Sequence, residues 1–323
     1  MRFGVGAAFC GALLFGLTAC GGGDKAYKPE RFKSGPTLGL AKAMSADELE
    51  GRKAGSEGSA AARALIIERM EKIGVLPDGP GYEKPFLYGP FVDPETGEAA
   101  TPNKPGTNII GYLEGSGDSD ITMIVSAHYD HLGVREGEIY NGMDDNASGV
   151  AAMLAVAEYF AKNPPKHDIG FAAFDAEEDG LGGAREFIKN PPLPVEKIAF
   201  NLNLDMISRG DNGILWASGA SITPDLIPMI EAVAKDAPVE LKMGYDTGDG
   251  RDDWTLLSDH AVFFRAGLPH LYLGVEDHPD YHKPSDDFDK VDQDWFLKSV
   301  ETVVMIAAAA DAQLDKIDNM AGE

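Results

Sequence analysis

Histidines and carboxylates recur in this chain of 323 residues at the points where short apolar runs stop. His128 and Asp130 follow the run from Ile121 to Ala127, Glu177 and Glu178 follow Ile169 to Phe174, and Asp205 follows Phe200 to Leu204. His282 lies beyond Leu271 to Leu273, and Asp145 stands just before a helical stretch that opens at Asn146. One histidine at a strand end is ordinarily structural, but repetition of the pattern marks a site. Imidazole and carboxylate donors without thiolates suit zinc, and carboxylates shared between ions suit a pair about 3.5–4 Å apart. Charge balance favours the pair. Two divalent ions are neutralised by Asp145, Glu178 and Asp205 with one hydroxide, which limits the cost of burying the cluster.

The elements that must position these groups follow from periodicity. The runs at 107–113, 121–127, 169–174, 200–204 and 271–273 are strand-length and apolar, whereas 146–161 and 295–317 carry apolar residues at helical spacing. Strands alternating with helices predict a three-layer α/β/α sandwich around a mixed, mostly parallel sheet. Ligands of such sheets bind outside the carboxyl ends of the strands, where the acidic clusters fall. Residues 45–73 read as helical with a break around 51–58, opened by a Ser45–Glu48 capping box. Residues 77–106, dense in Pro and Gly, read as a surface excursion with one short strand near Phe86 and Leu87.

The first twenty residues carry Arg2, an apolar segment from Val5 to Leu17, and then Leu-Thr-Ala-Cys. This resembles a bacterial lipoprotein signal peptide, too short in its apolar part to span a membrane comfortably. The resemblance implies removal of residues 1–19, a lipid on Cys20, and an outer-membrane location facing the periplasm, since Gly21 follows instead of the aspartate linked to inner-membrane retention. Residues 20–44, mixing Gly, Lys, Pro and Ser, are expected to tether that lipid to a single domain over 45–323. The other cysteine, Cys10, lies in the leader, so no disulfide can staple the mature chain. A formal charge of −25 disfavours nucleic acid, and contact with the membrane is expected through the lipid only.

Five motifs in order resemble the di-zinc exopeptidases of metallopeptidase clan MH, family M28: Ser-Ala-His128-Tyr-Asp130-His, Met-Asp-Asp145-Asn-Ala-Ser-Gly, Glu177-Glu178-Asp-Gly-Leu-Gly-Gly, Asn-Leu-Asp205-Met, and Tyr281-His282-Lys-Pro-Ser-Asp286. The resemblance implies two Zn2+ ions bridged by Asp145, one completed by His128 and Asp205, the other by Glu178 and His282. Glu177 is then the general base and Tyr281 a donor to the carbonyl oxygen. Asp130 and Asp286 are expected to orient ligand imidazoles, and the bond from Asp145 to Asn146 to be cis. His131, His167, His260 and His270 match no ligand position, and His278 is the rival of His282. Ser258-Asp259-His260 resembles a family segment near the specificity pocket, but Leu257 stands where some aminopeptidases have arginine. Arg209 and Arg251 are the alternatives for a charge that recognises a substrate terminus.

These residues imply a zinc aminopeptidase acting on peptides. A carboxypeptidase or dipeptidase of the same fold, a one-zinc glutaminyl cyclase and a peptide-binding lipoprotein without activity are the competing readings. Retention of all five ligand positions and of the base weighs against the last two.

Overall fold

The computed structural model describes, besides Met1, residues 27–89, 103–247 and 253–318. The leader, Cys20 and Arg251 therefore lie outside the described residues. Within it, alternate residues of β4 (Thr122–His128) serve different faces: Met123, Val125 and Ala127 enter one core, and Ile124 the other. The neighbouring β7 (Asp168–Phe174) does the same, with Ile169, Phe171 and Ala173 on one side and Ala172 and Phe174 on the other. Side chains of a strand alternate across the sheet, so a strand that is apolar throughout must be covered on both faces.

The remaining strands are β1 (Leu76–Pro77), β2 (Glu83–Tyr88), β3 (Lys104–Leu113), a β5–β6 hairpin (Gly133–Arg135, Glu138–Tyr140), β8 (Ile198–Leu204), β9 (Ile214–Ser218), β10 (Glu240–Met243) and β11 (His270–Gly274). The main sheet runs β1-β3-β7-β4-β8-β11-β9-β10, with β2 also on β3. Its centre, β7-β4-β8-β11, is parallel. Antiparallel contacts of β3 with β7 and of β9 with β11 make the sheet mixed. The larger layer comprises α1 (Ser34–Met44), α2 (Glu57–Ile73), α3 (Gly149–Lys162), α5 (Ile227–Ala234), α7 (Gln293–Ala312) and α8 (Leu314–Asp318). The opposite layer holds α4 (Gly182–Lys189) and α6 (His260–Arg265). Three layers are thus present, as expected. Among the described residues no helix is long and apolar enough to cross a membrane.

The expected tether through residue 44 is corrected by α1. Thr37, Leu40, Ala41 and Met44 form a buried stripe at helical spacing, and Phe32 before them joins the same core. Gly35, Pro36 and Gly39 dilute that stripe in the sequence, and only packing against α2 and α3 reveals it. Ser45 does not open a capping box. It ends α1, its hydroxyl donating to the Ala41 carbonyl at 2.9 Å, and Ser56 caps α2 by accepting from the Ser59 amide at 3.1 Å. The excursion after Pro77 is more ordered than composition implied, because β2 pairs along β3 and buries Phe86 and Tyr88.

Candidate metal centre

Because β4, β7 and β8 run in parallel, their carboxyl ends share one edge, and the segments after them converge there. His128 is the last residue of β4, Asp205 follows β8, and Glu177 and Glu178 follow β7 after a short turn. His282 arrives differently from expected: it stands on a turn eight residues beyond the end of β11, with φ 53°. Ala176, just before Glu177, and Met206, just after Asp205, both have φ of 58°. Left-handed backbone at non-glycine residues is uncommon and gathers at functional sites.

Asp145 is at the centre. Its Oδ1 lies 3.2 Å from His128 Nε2, which is also 3.2 Å from Asp205 Oδ1. Its Oδ2 lies 3.0 Å from His282 Nε2, which is 3.6 Å from Glu178 Oε2. One carboxylate therefore faces two donor sets. The peptide bond from Asp145 to Asn146 is cis, as the motif implied. Asn146 ties this segment to the end of β8, donating to the Leu204 carbonyl at 2.9 Å and accepting from the Gly149 amide at 2.9 Å.

Asp130 and Asp286 both hold backbone, and Asp130 also keeps the expected imidazole contact, its Oδ1 lying 3.7 Å from His128 Nδ1. Asp130 accepts from the amides of Glu177 (3.0 Å) and Glu178 (3.3 Å), and His128 Nδ1 stands 3.2 Å from its main-chain carbonyl. Asp286 accepts from the amides of Asp144 (3.0 Å) and Asp145 (3.1 Å) instead of approaching His282. Carboxylate oxygens take backbone amides readily, and in each case the amide belongs to a donor or its neighbour. His278 does not enter the donor sets. Its Nε2 pairs with Asp144 Oδ2 at 3.1 Å, and Asp144 in turn accepts from the Ser208 amide and hydroxyl at 2.6 and 2.7 Å.

The electrostatics describe a cluster short of positive charge. Burial raises Glu178 to about 9 with the help of Asp145, and burial together with Asp259 keeps Glu177 well above the usual carboxylate range despite His128. Burial also favours neutral His128, but Asp205 and Glu177 outweigh it and hold the imidazole well above its ordinary value. Asp145 goes the other way: burial pushes it up, yet His131, His128 and His282 hold it well below. Several orphaned buried atoms, among them Glu178 Oε1 and both ring nitrogens of His131, have no hydrogen-bond partner among the described residues. His128, Asp145 and Asp205 offer ligand atoms within 4.8 Å of one another, as do His131, Asp145 and Glu178. Nitrogen and oxygen donors, an excess of carboxylates and orphaned atoms fit divalent zinc.

Other expected participants are placed as follows. The Tyr281 ring stacks on His282 with centroids 4.0 Å apart, at the rim of the site. Arg209 is bound to Asp280 at 2.8 Å and Asp211 at 3.2 Å, so it is not a free charge. His167 binds Asp311 and Asp315, far along the chain from the donors. His260 and His270 are buried beside each other, centroids 5.5 Å apart.

Three groups were given no role in the site by the sequence. Asp259 is fully buried, both carboxylate oxygens lack partners among the described residues, and burial lifts it to about 8. Arg52, also fully buried, donates to the carbonyls of Met44 (2.6 Å), Tyr129 (2.8 Å), Asn141 (2.5 Å) and Gly142 (2.9 Å). This fixes the segments that lead to the donors. His131 shares the Glu178 side of the cluster, and its place after His128-Tyr-Asp130 was the only signal for it.

A sheet covered by helices on both faces is a fold that this chain shares with solved zinc aminopeptidases and glutaminyl cyclases. The Bacillus subtilis zinc aminopeptidase BSAP superposes with a TM-score of 0.68 at 17% identity, covering 85% of this chain and 95% of that one. Porphyromonas gingivalis glutaminyl cyclase gives 0.67 at 18% identity, covering 86% and 98%. Such likeness establishes the fold. The family model of peptidase family M28 matches residues 108–307, and the chain belongs to that family. Among curated relatives, the Mycobacterium tuberculosis probable lipoprotein aminopeptidase LpqL is 29% identical over 60% of this chain and 47% of its own length. A Pseudomonas aeruginosa aminopeptidase is 32% identical over 50% and 30%, and Bacillus subtilis aminopeptidase YwaD 26% identical over 75% and 56%. The matched regions thus span about half of these relatives or less.

Proposed function

We propose that this chain is a zinc-dependent aminopeptidase that hydrolyses the N-terminal peptide bond of peptides. The observation that carries the reading is the position of Asp145 between two donor sets, with Glu177 next to Glu178, its amide held by the same Asp130 carboxylate. His128 and Asp205 would hold one zinc, Glu178 and His282 the other, and Asp145 both. When bound, such a pair acidifies a water and polarises a carbonyl. Glu177 accepts the proton of the attacking water on its carboxylate and delivers it to the leaving amine. Tyr281, whose ring stacks on His282, would donate a hydrogen bond from its hydroxyl to a carbonyl oxygen as that oxygen gains charge.

Zinc reconstitution of the stripped protein, followed by a panel of aminoacyl and end-blocked peptides, tests the reading. Blocking the amino end should abolish cleavage and blocking the carboxyl end should not. The reverse pattern means a carboxypeptidase, and cyclisation of N-terminal glutamine with one zinc per chain means a glutaminyl cyclase, whose fold this chain shares. Full activity after verified removal of metal would sink the mechanism. We also infer a processed leader over residues 1–19 and a lipid on Cys20, placing the enzyme on the outer membrane and facing the periplasm. The motif at Cys20 supports the lipid anchor, as does similarity to a relative named as a lipoprotein, and Gly21 after it supports the outer-membrane location.

A further inference from the structure

His131 lies on the Glu178 side of the cluster, with a side chain that has no exposed surface. Its Nδ1 stands 2.7 Å from Glu178 Oε1 and 3.7 Å from Asp145 Oδ2. Despite the short separation, the first pair is not a hydrogen bond. Nδ1, Nε2 and Oε1 all remain buried without hydrogen-bond partners among the described residues. Buried polar atoms nearly always find a partner, so orphans on two residues that approach each other call for a third atom within reach of both. A cation is the partner that accepts a nitrogen lone pair and carboxylate oxygens at once.

The ring is also held in place. Gly142, at φ 57°, brings its backbone so close that a Cβ there would stand 2.5 Å from the His131 ring and 2.1 Å from the Asp145 carbonyl oxygen. Arg52 pins the Gly142 carbonyl from behind. His282, by contrast, sits on the rim with 40% of its side chain exposed, and the two rings lie 5.9 Å apart. Inner and outer imidazoles thus approach the same two carboxylates from different elements.

We propose that His131 Nδ1 is a fourth protein donor to the ion held by Asp145, Glu178 and His282. The assignment rests on the two-zinc reading above. Four protein donors fill the usual complement of a zinc site, so the open position needed for water and substrate falls on the His128 and Asp205 side.

The test uses the zinc-loaded full chain and two readouts other than turnover: zinc affinity by chelator competition, and the number of imidazoles per zinc by X-ray absorption. His131→Asn is the decisive variant, because its amide reaches about as far as Nδ1 and fills the buried site with a polar group, which protects the fold if His131→Ala fails to express. The wild type should show three imidazoles shared by two ions. His131→Asn should show two, with one zinc bound about 10–100-fold more weakly and the other unchanged. Two ions with only two imidazoles in the wild type, or unchanged zinc affinity and imidazole count in His131→Asn, would overturn this assignment and leave the two-zinc reading standing. A single zinc in the wild type would overturn both.

Discussion

The carboxylate of Asp286 accepts the backbone N–H of Asp145 at 3.1 Å, so a residue far along the chain positions the carboxylate that faces both donor sets through its main chain. The same carboxylate takes the Asp144 amide at 3.0 Å. Asp286→Ala should therefore weaken metal binding by about 10–100-fold, the usual cost of losing such a support, without removing a donor. Chelator competition on the zinc-loaded protein measures it. An unchanged affinity would mean that the cis segment holds its shape unaided.

Glu177 and Glu178 are adjacent, and both amides rest on Asp130, yet they are assigned different work. Glu177→Ala should keep both metals and lose turnover by about 10²–10⁴-fold with substrate binding little changed. Glu178→Ala should lose one metal, and thermal stability should fall with it. Metal analysis showing the opposite pattern would reverse the two roles.

The metal-free protein should lose stability as pH rises from about 6 to about 9. Glu178, at about 9, and Asp259, at about 8, keep protons in the folded chain that the unfolded chain has already released, so raising the pH favours unfolding across that window. His128, held above its ordinary value, acts in the same direction as it deprotonates. Asp145 acts oppositely, but only in acid, as pH falls through its depressed value. Zinc should abolish the trend and release protons on binding near neutral pH. Melting curves with and without zinc, and calorimetry in buffers of different ionisation enthalpy, check both. A flat metal-free profile would remove the support.

Arg52→Ala should destabilise the protein by about 3 kcal/mol or more, because it strands the buried carbonyls of Met44, Tyr129, Asn141 and Gly142. Arg52→Lys should recover only part of this, since an ammonium has three donors in the wrong arrangement. Urea unfolding of both variants decides it, and a loss within about 0.5 kcal/mol for alanine would refute the reading.

Cys20→Ser should move the protein from the membrane fraction to a soluble or unprocessed form while cleavage of test peptides persists. Fractionation of cells expressing each form reports the outcome, and an unchanged membrane fraction would contradict lipidation.

The sequence by itself determined the donor types, their order and their places at strand ends. These are local properties: apolar runs specify strands, parallel strands share a carboxyl edge, and a residue just past a run must lie at that edge. His128, Glu177, Glu178 and Asp205 were legible for this reason, and the five motifs added Asp145 and His282. Tertiary structure alone decided the rest. The buried stripe of α1 is too diluted by glycine and proline to be seen until α2 and α3 cover it. Asp286 carries a carboxylate that could serve an imidazole or an amide, and only the path of the loop after β11 brings it to Asp144 and Asp145. Arg52 looks like a surface cation in the sequence, yet four carbonyls from three separate segments surround it. His131 could have faced solvent, and the close approach of Gly142 turns it towards Glu178. Which way a side chain points from a loop depends on partners distant in sequence, and composition and periodicity carry no record of those contacts.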